Sequence, residues 1–400
     1  MTQAPPEMPV YMRRNSFDPD PGLQEIREAE GVRRVKGALG MDVYVITRNE
    51  DVKEVLADAA RFSNRRPPQF SPFTDNMSDE EIRRSQAGNL LGIDPPEHHR
   101  LRRMLTPEFT LRRMKRLEPR IVEIVDEHLD SLDRTGPPAD LVAEFALPIP
   151  SLVICELLGV PYADRAAFQS RSNRQLDFSV PIPERTALQV ESRAYMDTLV
   201  TAARKNPGED MLGMLVREHG DELTQDELVG IANLLLLAGH ETTSNMLGLG
   251  TLALLQHPDQ LALVRDDPDA VGPAVEELMR WLSIVHTGIP RFCVADTEVA
   301  GVPIPANSIV VVSLPAANRD PSIVEDPDRF DVRRGAPGHL AFGHGVHHCL
   351  GAPLARMEMR IAFPALLRRF PGLALAGDPA DVPFRAYHFI YGLQSLEVTW

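Results

Sequence analysis

The stretch of sequence that decides the fold reads Phe342-Gly343-His344-Gly345-Val346-His347-His348-Cys349-Leu350-Gly351. It places one thiol in a glycine-punctuated loop, directly before an apolar, arginine-bearing segment that is predicted to be helical. The free N–H groups and the positive dipole end of a helix start favour a thiolate at such a position. Gly345 and Gly351 predict that a flat ligand can come close to the backbone, with Phe342 as an apolar surface beside it. The stretch therefore predicts a thiolate site.

Three interpretations of Cys349 follow from these residues alone. A thiolate held in this way can be the axial ligand of a haem iron, to which it donates electron density. A lone cysteine can also be a buried structural thiol. The third interpretation is a compact zinc site, although zinc ligands usually occur as spaced pairs and four within six residues suit tetrahedral closure poorly. The ligands of that zinc site would be His344, His347, His348 and Cys349.

A long apolar helix is predicted from the capping box at residues 224–227 to about His257, where Pro258 ends it. A buried helix has no packing reason to carry Gly239, Glu241 and Thr242 together at its middle. The glycine weakens the helix, and the threonine hydroxyl can bond back to a carbonyl and bend it. The pattern predicts a local groove beside an acid and an alcohol. The alternative is a glutamate that is merely salt-bridged inside and a threonine that is merely back-bonded.

Two further helices carry candidate residues. A helix with Asp94 as its N-cap is predicted to place His98 and Arg102 four residues apart on one face. A later helix contains Glu-x-x-Arg at residues 277–280, which on its own is as common as any surface ion pair. Its significance depends on Pro-Asp-Arg-Phe at residues 327–330, further along the chain.

Together these motifs resemble the cytochrome P450 family. Phe-x-x-Gly-x-His-x-Cys-x-Gly is similar to the family's haem-thiolate signature, and Ala-Gly-x-Glu-Thr at residues 238–242 is similar to its acid–alcohol motif, with Glu as an accepted variant of Asp. All five motifs occur in the family's order, so the resemblance covers nearly the whole chain. The sequence is most similar to soluble actinobacterial members that tailor secondary metabolites.

The resemblance implies a role for each matched residue. Cys349 is the implied iron ligand, and Glu241 with Thr242 is the implied pair that delivers protons. The other implied haem contacts, in which the histidines and arginines bind propionates, are His98, Arg102, Ala238, Arg291, Phe342, Gly345, His347 and Gly351. The implied substrate pocket, which is mostly apolar, consists of Leu91, Ile93, Leu234, Leu235, Ala238, Val285, Thr287, Ile289 and Ile390. The implied structural cluster is Glu277, Arg280 and Arg329.

The implied fold is mainly α with small β-sheets: the cytochrome P450 fold, a helix-rich triangular prism with a long central helix over the haem. A single domain is expected over residues 1–400, with a β-containing N-terminal lobe and a larger helical lobe. Strand-like patterns at residues 42–47 and 297–313, the second of them β-rich around 309–312, predict one small sheet near the N-terminus and a second small sheet later in the chain.

The implied function is a monooxygenase that uses haem b and inserts one atom of O2 into a hydrophobic small molecule such as a polyketide, macrolide or terpenoid. Two alternatives stay open. One is a haem-thiolate enzyme that isomerises, dehydrates or couples its substrate without net hydroxylation; the other is a non-catalytic haem sensor or carrier. A zinc hydrolase is a third alternative, but it leaves the other four motifs unexplained.

Composition limits the location and the partners of the protein. A net charge of −15 argues against nucleic-acid binding. The longest apolar run, at residues 234–238, is far shorter than the roughly 20 residues that span a bilayer. Three cysteines that lie far apart in sequence suit a reducing compartment. We therefore expect a cytoplasmic protein with no membrane partner. A monomer is the expected oligomeric state.

The resemblance also implies external electron donors, since 400 residues leave no room for a second redox domain. The expected donors are a ferredoxin and an NAD(P)H-dependent ferredoxin reductase. Residues 100–116 contain seven basic residues against the single acid Glu108. With Arg356 and Arg360, this basic run is the predicted docking face for an acidic ferredoxin.

Overall fold

The computed structural model describes residues 8–37, 40–67, 78–335 and 338–400, and helices form most of its regular structure. The α-helices are α1 (Pro21–Glu28), α2 (Asn49–Ala57), α3 (Asp79–Gln86), α4 (Glu97–Leu105), α5 (Leu111–Thr135), α6 (Pro148–Leu158), α7 (Arg165–Leu176), α8 (Ile182–Lys205), α9 (Met211–His219), α10 (Gln225–Gln256), α11 (Pro258–Asp266), α12 (Pro268–Leu282), α13 (Leu314–Asn318) and α14 (Ala352–Arg369).

The strands are short and form small sheets. They are β1 (Arg14–Asn15), β2 (Asp18–Pro19), β3 (Val32–Lys36), β4 (Asp42–Ile46), β5 (Phe62–Ser63), β6 (Ala139–Asp140), β7 (Ile289–Cys293), β8 (Thr297–Val299), β9 (Val302–Ile304), β10 (Ile309–Val312), β11 (Ala374–Leu375) and β12 (Glu397–Thr399). The largest sheet has the order β3-β4-β10-β7-β5, and a three-stranded sheet has the order β11-β12-β6. The expected fold class, mainly α with small sheets, is confirmed.

The expectation of a second small sheet within residues 297–313 is confirmed for β8 and β9 but is wrong for β10, which belongs to the same sheet as β4. β10 pairs in parallel with β4, so that Ile309 lies opposite Val43 and Val312 opposite Ile46. The segments predicted as parts of two sheets are therefore neighbours in one sheet. All of β10 is buried, as expected for a central strand that is covered on both faces. The β-rich part of the molecule combines N-terminal residues with residues from much later in the chain, while the hairpin β8–β9 forms a small sheet of its own.

The predicted central helix is confirmed as α10. The Thr224 hydroxyl accepts a hydrogen bond from the Glu227 N–H at 3.2 Å, and the Glu227 carboxylate accepts one from the Thr224 N–H at 2.8 Å. The helix packs against α6, α8 and α14, and most of its residues after His240 are buried. Although α10 is apolar over much of its length, no helix in the described part of the chain is long and apolar enough to cross a membrane.

An ion pair on α12 lies fully inside the core. Arg280 Nε donates to Glu277 Oε2 at 2.7 Å, and its Nη2 donates to Glu277 Oε1 at 2.8 Å. The same guanidinium donates to the carbonyl oxygens of Asn318 at 2.9 Å and Pro327 at 2.7 Å. Because the two bonds to carbonyl oxygens end outside α12, Arg280 joins α12 to α13 and to the loop after it.

The prediction that Arg329 is the third member of this cluster is wrong. Its side chain is 64% exposed and lies 3.6 Å from Asp331, and it is the Arg329 carbonyl that accepts from Arg280, at 3.4 Å. The second cation beside Glu277 is Arg334, whose Nε lies 3.6 Å from Glu277 Oε1. The chain turns after residue 330, and this turn directs Arg334 inward and Arg329 outward.

Helix α14 carries a carboxyl group that the core isolates. Glu358 is 2% exposed, and its Oε2 has no hydrogen-bond partner among the described residues. Burial raises the pKa of Glu358 to about 8, because a carboxylate in this position would lose its hydration without gaining a cation.

Replacing this group by an uncharged isostere, Glu358→Gln, should remove a pH dependence of stability. The folded-state pKa lies above the ordinary value, so the unfolded chain releases this proton first. The free energy of unfolding should therefore fall by up to about 1.4 kcal/mol per pH unit between about pH 5 and pH 8. Urea unfolding at both ends of that range should give a flatter dependence for the glutamine variant. Equal slopes for the parent and Glu358→Gln, with the exposed Glu118→Gln as a control, would contradict the assignment.

Candidate functional site

Cys349 lies where the sequence places it, at the end of a tight loop just before α14. The Cys349 N–H donates to the Phe342 carbonyl at 2.8 Å and closes the loop. Gly345 has a φ of +70°, and a Cβ there would lie 2.7 Å from the Leu56 carbonyl of α2. Gly345 thus has a packing reason that the sequence does not reveal, and its contact with a flat ligand stays a prediction. At Gly351 an added Cβ would meet no atom within 4 Å, which is compatible with the predicted close approach.

The groups around the Cys349 sulfur act on its pKa in opposite directions. The side chain is accessible, although the protein around it raises the pKa of Cys349 by desolvation. The N–H groups of Gly351 and Ala352 and the guanidinium groups of Arg102 and Arg356 act in the opposite direction. Backbone donors and cations of this kind are what a bound thiolate needs.

Helix α4 meets the cysteine loop through two histidines. The rings of His98 and His347 lie with their centroids 4.2 Å apart. Both nitrogens of His98 and the Nε2 of His347 have no hydrogen-bond partner among the described residues. Burial, and after it the charge of Arg102, lowers the pKa of His98 to about 4; burial, and after it His98 and Arg291, lowers the pKa of His347 to about 3. The structure thus brings together all four residues that were predicted to bind propionates.

His98, Arg102, Arg291 and His347 form a cluster whose donor groups suit an anionic acceptor. Arg291 is 3% exposed and donates to the Pro290 carbonyl at 2.9 Å, and burial lowers its pKa to about 10. Burial also lowers the pKa of Arg102, against the opposing effect of Cys349. Buried guanidinium groups and unpartnered imidazoles are stabilised by carboxylate oxygens. Haem propionates have that chemistry, and Cys349 supplies the thiolate beside them, so the residues present fit a haem.

The predicted start of α4 is wrong. The helix begins at Glu97, and Asp94 does not cap it. Instead, the Asp94 carboxylate accepts hydrogen bonds from the Ser63 hydroxyl at 2.5 Å and the Asn64 N–H at 2.8 Å. Asp94 therefore ties the end of β5 to the segment before α4, and the predicted placement of His98 and Arg102 on one helix does not depend on that cap.

The middle of α10 has both features that the sequence left as an alternative. The Thr242 hydroxyl donates to the Ala238 carbonyl at 2.7 Å, and Glu241 Oε2 lies 3.2 Å from Arg385 Nη1. Thr242 is half-buried and Ala238 is exposed, so this turn of the helix borders open space. A Cβ at Gly239 would lie 2.8 Å from the Ile154 side chain, so the glycine allows α10 to approach α6. The proton-delivery role of Glu241 and Thr242 stays a prediction.

The predicted pocket residues differ in their exposure. Leu91 is 59% exposed, whereas Ile93, Thr287 and Ile390 are buried. The half-buried members are Leu234, Leu235, Val285 and Ile289. The Thr287 hydroxyl has no hydrogen-bond partner among the described residues. The assignment of these residues to a substrate pocket stays a prediction.

Sequence reasoning missed Glu276, the neighbour of the motif residue Glu277. It accepts from Arg356 at 2.7 and 2.8 Å and from His339 at 3.0 Å, and Arg360 lies 3.6 Å away. Although burial acts to raise it, these hydrogen bonds hold the pKa of Glu276 at about 2. The two arginines predicted to dock a ferredoxin therefore converge on one carboxylate. Their i, i+4 spacing on α14 is the signal that could have suggested a shared partner.

The basic run at residues 100–116 is also partly neutralised. Arg100 pairs with Glu227 on α10, and Arg113 pairs with Glu108 at 2.8 Å. Four exposed cations of the run make no ion pair with any residue that the structure describes: Arg103, Arg112, Lys115 and Arg116.

The zinc alternative has no support in the described residues. No three His, Cys, Asp or Glu side chains among them come together as metal ligands would. His347, which that alternative needs, packs on His98 instead.

Comparisons with known proteins agree with this site. The family model described as "Cytochrome P450" matches residues 37–169 and 197–383. Cytochrome P450 FAS1 of Rhodococcoides fascians is 49% identical over 98% of this chain and 99% of its own length. The structure of P450 StaH from glycopeptide antibiotic A47934 biosynthesis has a TM-score of 0.87 at 44% identity, covering 98% of this chain and 100% of that one. CYP105P1 in complex with filipin I has a TM-score of 0.89 at 40% identity, covering 97% of each chain.

The two matched ranges of the family model include α4, α10 and the cysteine loop, which carry the motifs described above. The chain therefore belongs to the cytochrome P450 family of haem-thiolate monooxygenases.

Proposed function

We propose that this chain uses haem b to insert one atom of O2 into a hydrophobic small molecule of the polyketide, macrolide or terpenoid type. The observation that carries the proposal is that Cys349 lies beside the cluster of His98, Arg102, Arg291 and His347, of which His98 and Arg291 are buried and the other two half-buried. Haem b carries two propionates and has no covalent link from its ring to the protein, which suits a described site with cations, imidazoles and Cys349 as its cysteine. We take residues 1–400 as one domain of this family.

When bound, the haem supplies an iron at which O2 is reduced and from which one oxygen atom reaches the substrate. The chain's own residues bind and orient the reactants. Cys349 supplies the sulfur ligand, and the four-residue cluster holds the propionates. Thr242 Oγ1 and Glu241 Oε2 are the atoms that we assign to proton delivery, since the two residues are consecutive at the middle of α10, where Thr242 is only half-buried.

Two observations support the substrate class. The predicted pocket residues are apolar except Thr287, and apolar walls with few polar groups suit a hydrophobic ligand. Relatives of high coverage point the same way, since one was solved with filipin I and another is named for glycopeptide antibiotic biosynthesis. We infer that the substrate of this chain is a secondary metabolite.

As a member of the family, the chain uses O2 and receives electrons from redox partners. We propose a ferredoxin and an NAD(P)H-dependent ferredoxin reductase as those partners, and a cytoplasmic monomer as the working form. The exposed cations Arg103, Arg112, Lys115 and Arg116 support an acidic donor. Charge reversal of these four should weaken ferredoxin-supported turnover most at low salt, whereas reversal of Arg113 would also break its pair with Glu108 and is a poorer test.

A screen followed by isotope labelling tests the proposed reaction. Polyketides, macrolides and terpenoids are screened for a substrate-induced shift of the Soret band. The best binder is then turned over with a surrogate ferredoxin chain under ¹⁸O2. A product that carries one ¹⁸O atom is the expected result. A product without the label would favour isomerisation, dehydration or coupling, and the absence of any product with any binder would favour a sensor or carrier.

Removal of one propionate contact, Arg102→Met, should weaken haem retention. A charge-assisted hydrogen bond contributes about 1.5–3 kcal/mol, so haem transfer to apomyoglobin should accelerate roughly 10-fold or more. Arg103→Met is the matched control, because it lies next in sequence on α4 but is exposed. Equal transfer rates for the two variants would contradict the assigned role of Arg102.

A further inference from the structure

Arg385, near the C-terminus, contacts the acid of α10 and the end of α7 at the same time. Its Nη1 lies 3.2 Å from Glu241 Oε2 and 3.3 Å from Asn245 Oδ1. Its Nη2 donates to Asn173 Oδ1 at 2.6 Å and lies 2.9 Å from His388 Nε2. The Arg385 side chain is only 12% exposed. A single planar guanidinium, with its donors in a fixed fork, therefore links two helices that are distant in sequence.

The backbone around Arg385 is joined to the same end of α7. The Phe178 N–H donates to the Tyr387 carbonyl at 2.8 Å, and the Phe389 N–H donates to the Leu176 carbonyl at 2.8 Å. Asp177 and His388 form an isolated antiparallel bridge between these two bonds. The turn between α7 and α8, residues 177–181, is thus held to the C-terminal segment by its backbone and by the Asn173 side chain.

The positive charge of Arg385 balances the negative charge of the buried Glu241 carboxylate. The glutamate is buried on α10, and two other basic groups lie near it: His240, whose Nε2 lies 3.5 Å from Glu241 Oε1, and His388, whose charge interacts with Glu241. Burial lowers the pKa of His240, and it lowers that of His388 to about 4, so both imidazoles are neutral at pH 7. Among the described residues, Arg385 is therefore the cation that balances the carboxylate, and its position sets the direction that the carboxylate faces.

We propose that Arg385 is a positioning residue that couples the orientation of Glu241 to the turn between α7 and α8. Asn173 keeps the guanidinium in place only while the turn rests on the C-terminal segment, and movement of the turn frees Glu241 from its partner. This inference rests on the proton-delivery role proposed for Glu241. It assigns a function to Asn173 and Arg385, which carry no recognisable motif.

The test compares Asn173→Ala, Arg385→Gln and Arg385→Lys in the haem-loaded protein. The readout is the fraction of NAD(P)H electrons recovered in product rather than in hydrogen peroxide. Asn173→Ala, which does not touch Glu241, should lower that fraction about threefold or more. Arg385→Lys should resemble Asn173→Ala, because a lysine keeps the charge but loses the fork. The double variant Asn173→Ala/Arg385→Gln should be no worse than Arg385→Gln alone.

Arg174→Gln is the matched control, since Arg174 is the next residue on α7 and is exposed like Asn173, but it pairs with Glu184 and not with Arg385. An Asn173→Ala variant that behaves like Arg174→Gln, or effects of the two single variants that multiply, would overturn the coupling and leave Arg385 as a simple counter-ion. A thiolate-type carbon monoxide band in every variant shows that the haem site itself is intact. Loss of that band in the parent would instead be a failure of the proposed function.

A second readout does not depend on turnover. Coupling is reciprocal, so Glu241→Gln should raise amide hydrogen exchange in residues 173–181 and 385–391, as measured by mass spectrometry. Exchange in α12 serves as an internal reference. Unchanged exchange in both segments would contradict the proposal even if Glu241 proves essential for the reaction.

Discussion

Replacing the iron ligand, Cys349→Ser, should abolish the red-shifted Soret band in the carbon monoxide difference spectrum of the dithionite-reduced protein, and monooxygenase turnover with it. A serine oxygen keeps the size of the group but does not donate electron density to iron as a thiolate does. The loop itself should persist, because the bond from the residue 349 N–H to the Phe342 carbonyl is made by the backbone. Haem content is measured beside the spectrum, so that loss of the ligand is distinguished from loss of the haem.

The other two cysteines provide controls for this experiment. Cys155 and Cys293 are buried, and burial raises the pKa of Cys155 to about 12 and that of Cys293 to about 11, so both are structural thiols. Cys155→Ala and Cys293→Ala should keep the thiolate band. A Cys349→Ser variant that retains the band, or a parent with a band typical of histidine ligation, would refute the assigned ligand.

The substitution Arg280→Ala should produce the largest loss of stability outside the haem site. It would leave the Glu277 carboxylate buried without its main cation and would remove bonds to the Asn318 and Pro327 carbonyls. Removal of one partner of a buried ion pair costs about 3–5 kcal/mol, a large share of the roughly 5–15 kcal/mol of a typical domain. Urea unfolding of haem-loaded variants, compared under identical conditions, measures the loss.

Two neighbouring arginines make this prediction specific. Arg329→Ala should change the free energy of unfolding by no more than about 0.5 kcal/mol, because its side chain is exposed. Arg334→Ala should lower the free energy of unfolding by an intermediate amount. Arg334 lies 3.6 Å from Glu277, and in this variant Arg280 still balances the Glu277 carboxylate. If Arg329→Ala proves as damaging as Arg280→Ala, the sequence motif and not the observed geometry describes the cluster correctly.

The parts of the site that the sequence predicts depend on local information. The cysteine loop needs glycines at fixed positions before a helix, and the start of α10 needs a capping box. Each pattern lies within about ten consecutive residues, so each can be recognised from the sequence. The placement of His98 and Arg102 on one face of α4 follows from their spacing of one helical turn. The resemblance implies that they bind propionates together with His347 and Arg291. The structure adds that nitrogens of His98 and His347 have no partner among the described residues and can bind such a ligand.

The parts that the sequence does not predict depend on where distant segments meet. Arg329 and Arg334 are equally plausible partners of Glu277 until the turn after residue 330 is known. Arg385 stands in a segment without a recognisable motif, and its role follows from contacts with α7 and α10. The strand pattern of β10 shows that it is buried, but not that its parallel neighbour is β4.

That last pairing has a consequence for the order in which the protein acquires its structure on the ribosome. β4 leaves the ribosome early, but its neighbour β10 is synthesised only after α10 and α12. Until then, Val43, Val45 and Ile46 have an open strand edge and an uncovered apolar face, which is the kind of surface that other chains capture. Pairings over such long separations are also slow to form. Nascent chains that stop short of residue 312 should therefore depend on chaperones far more than the finished protein does.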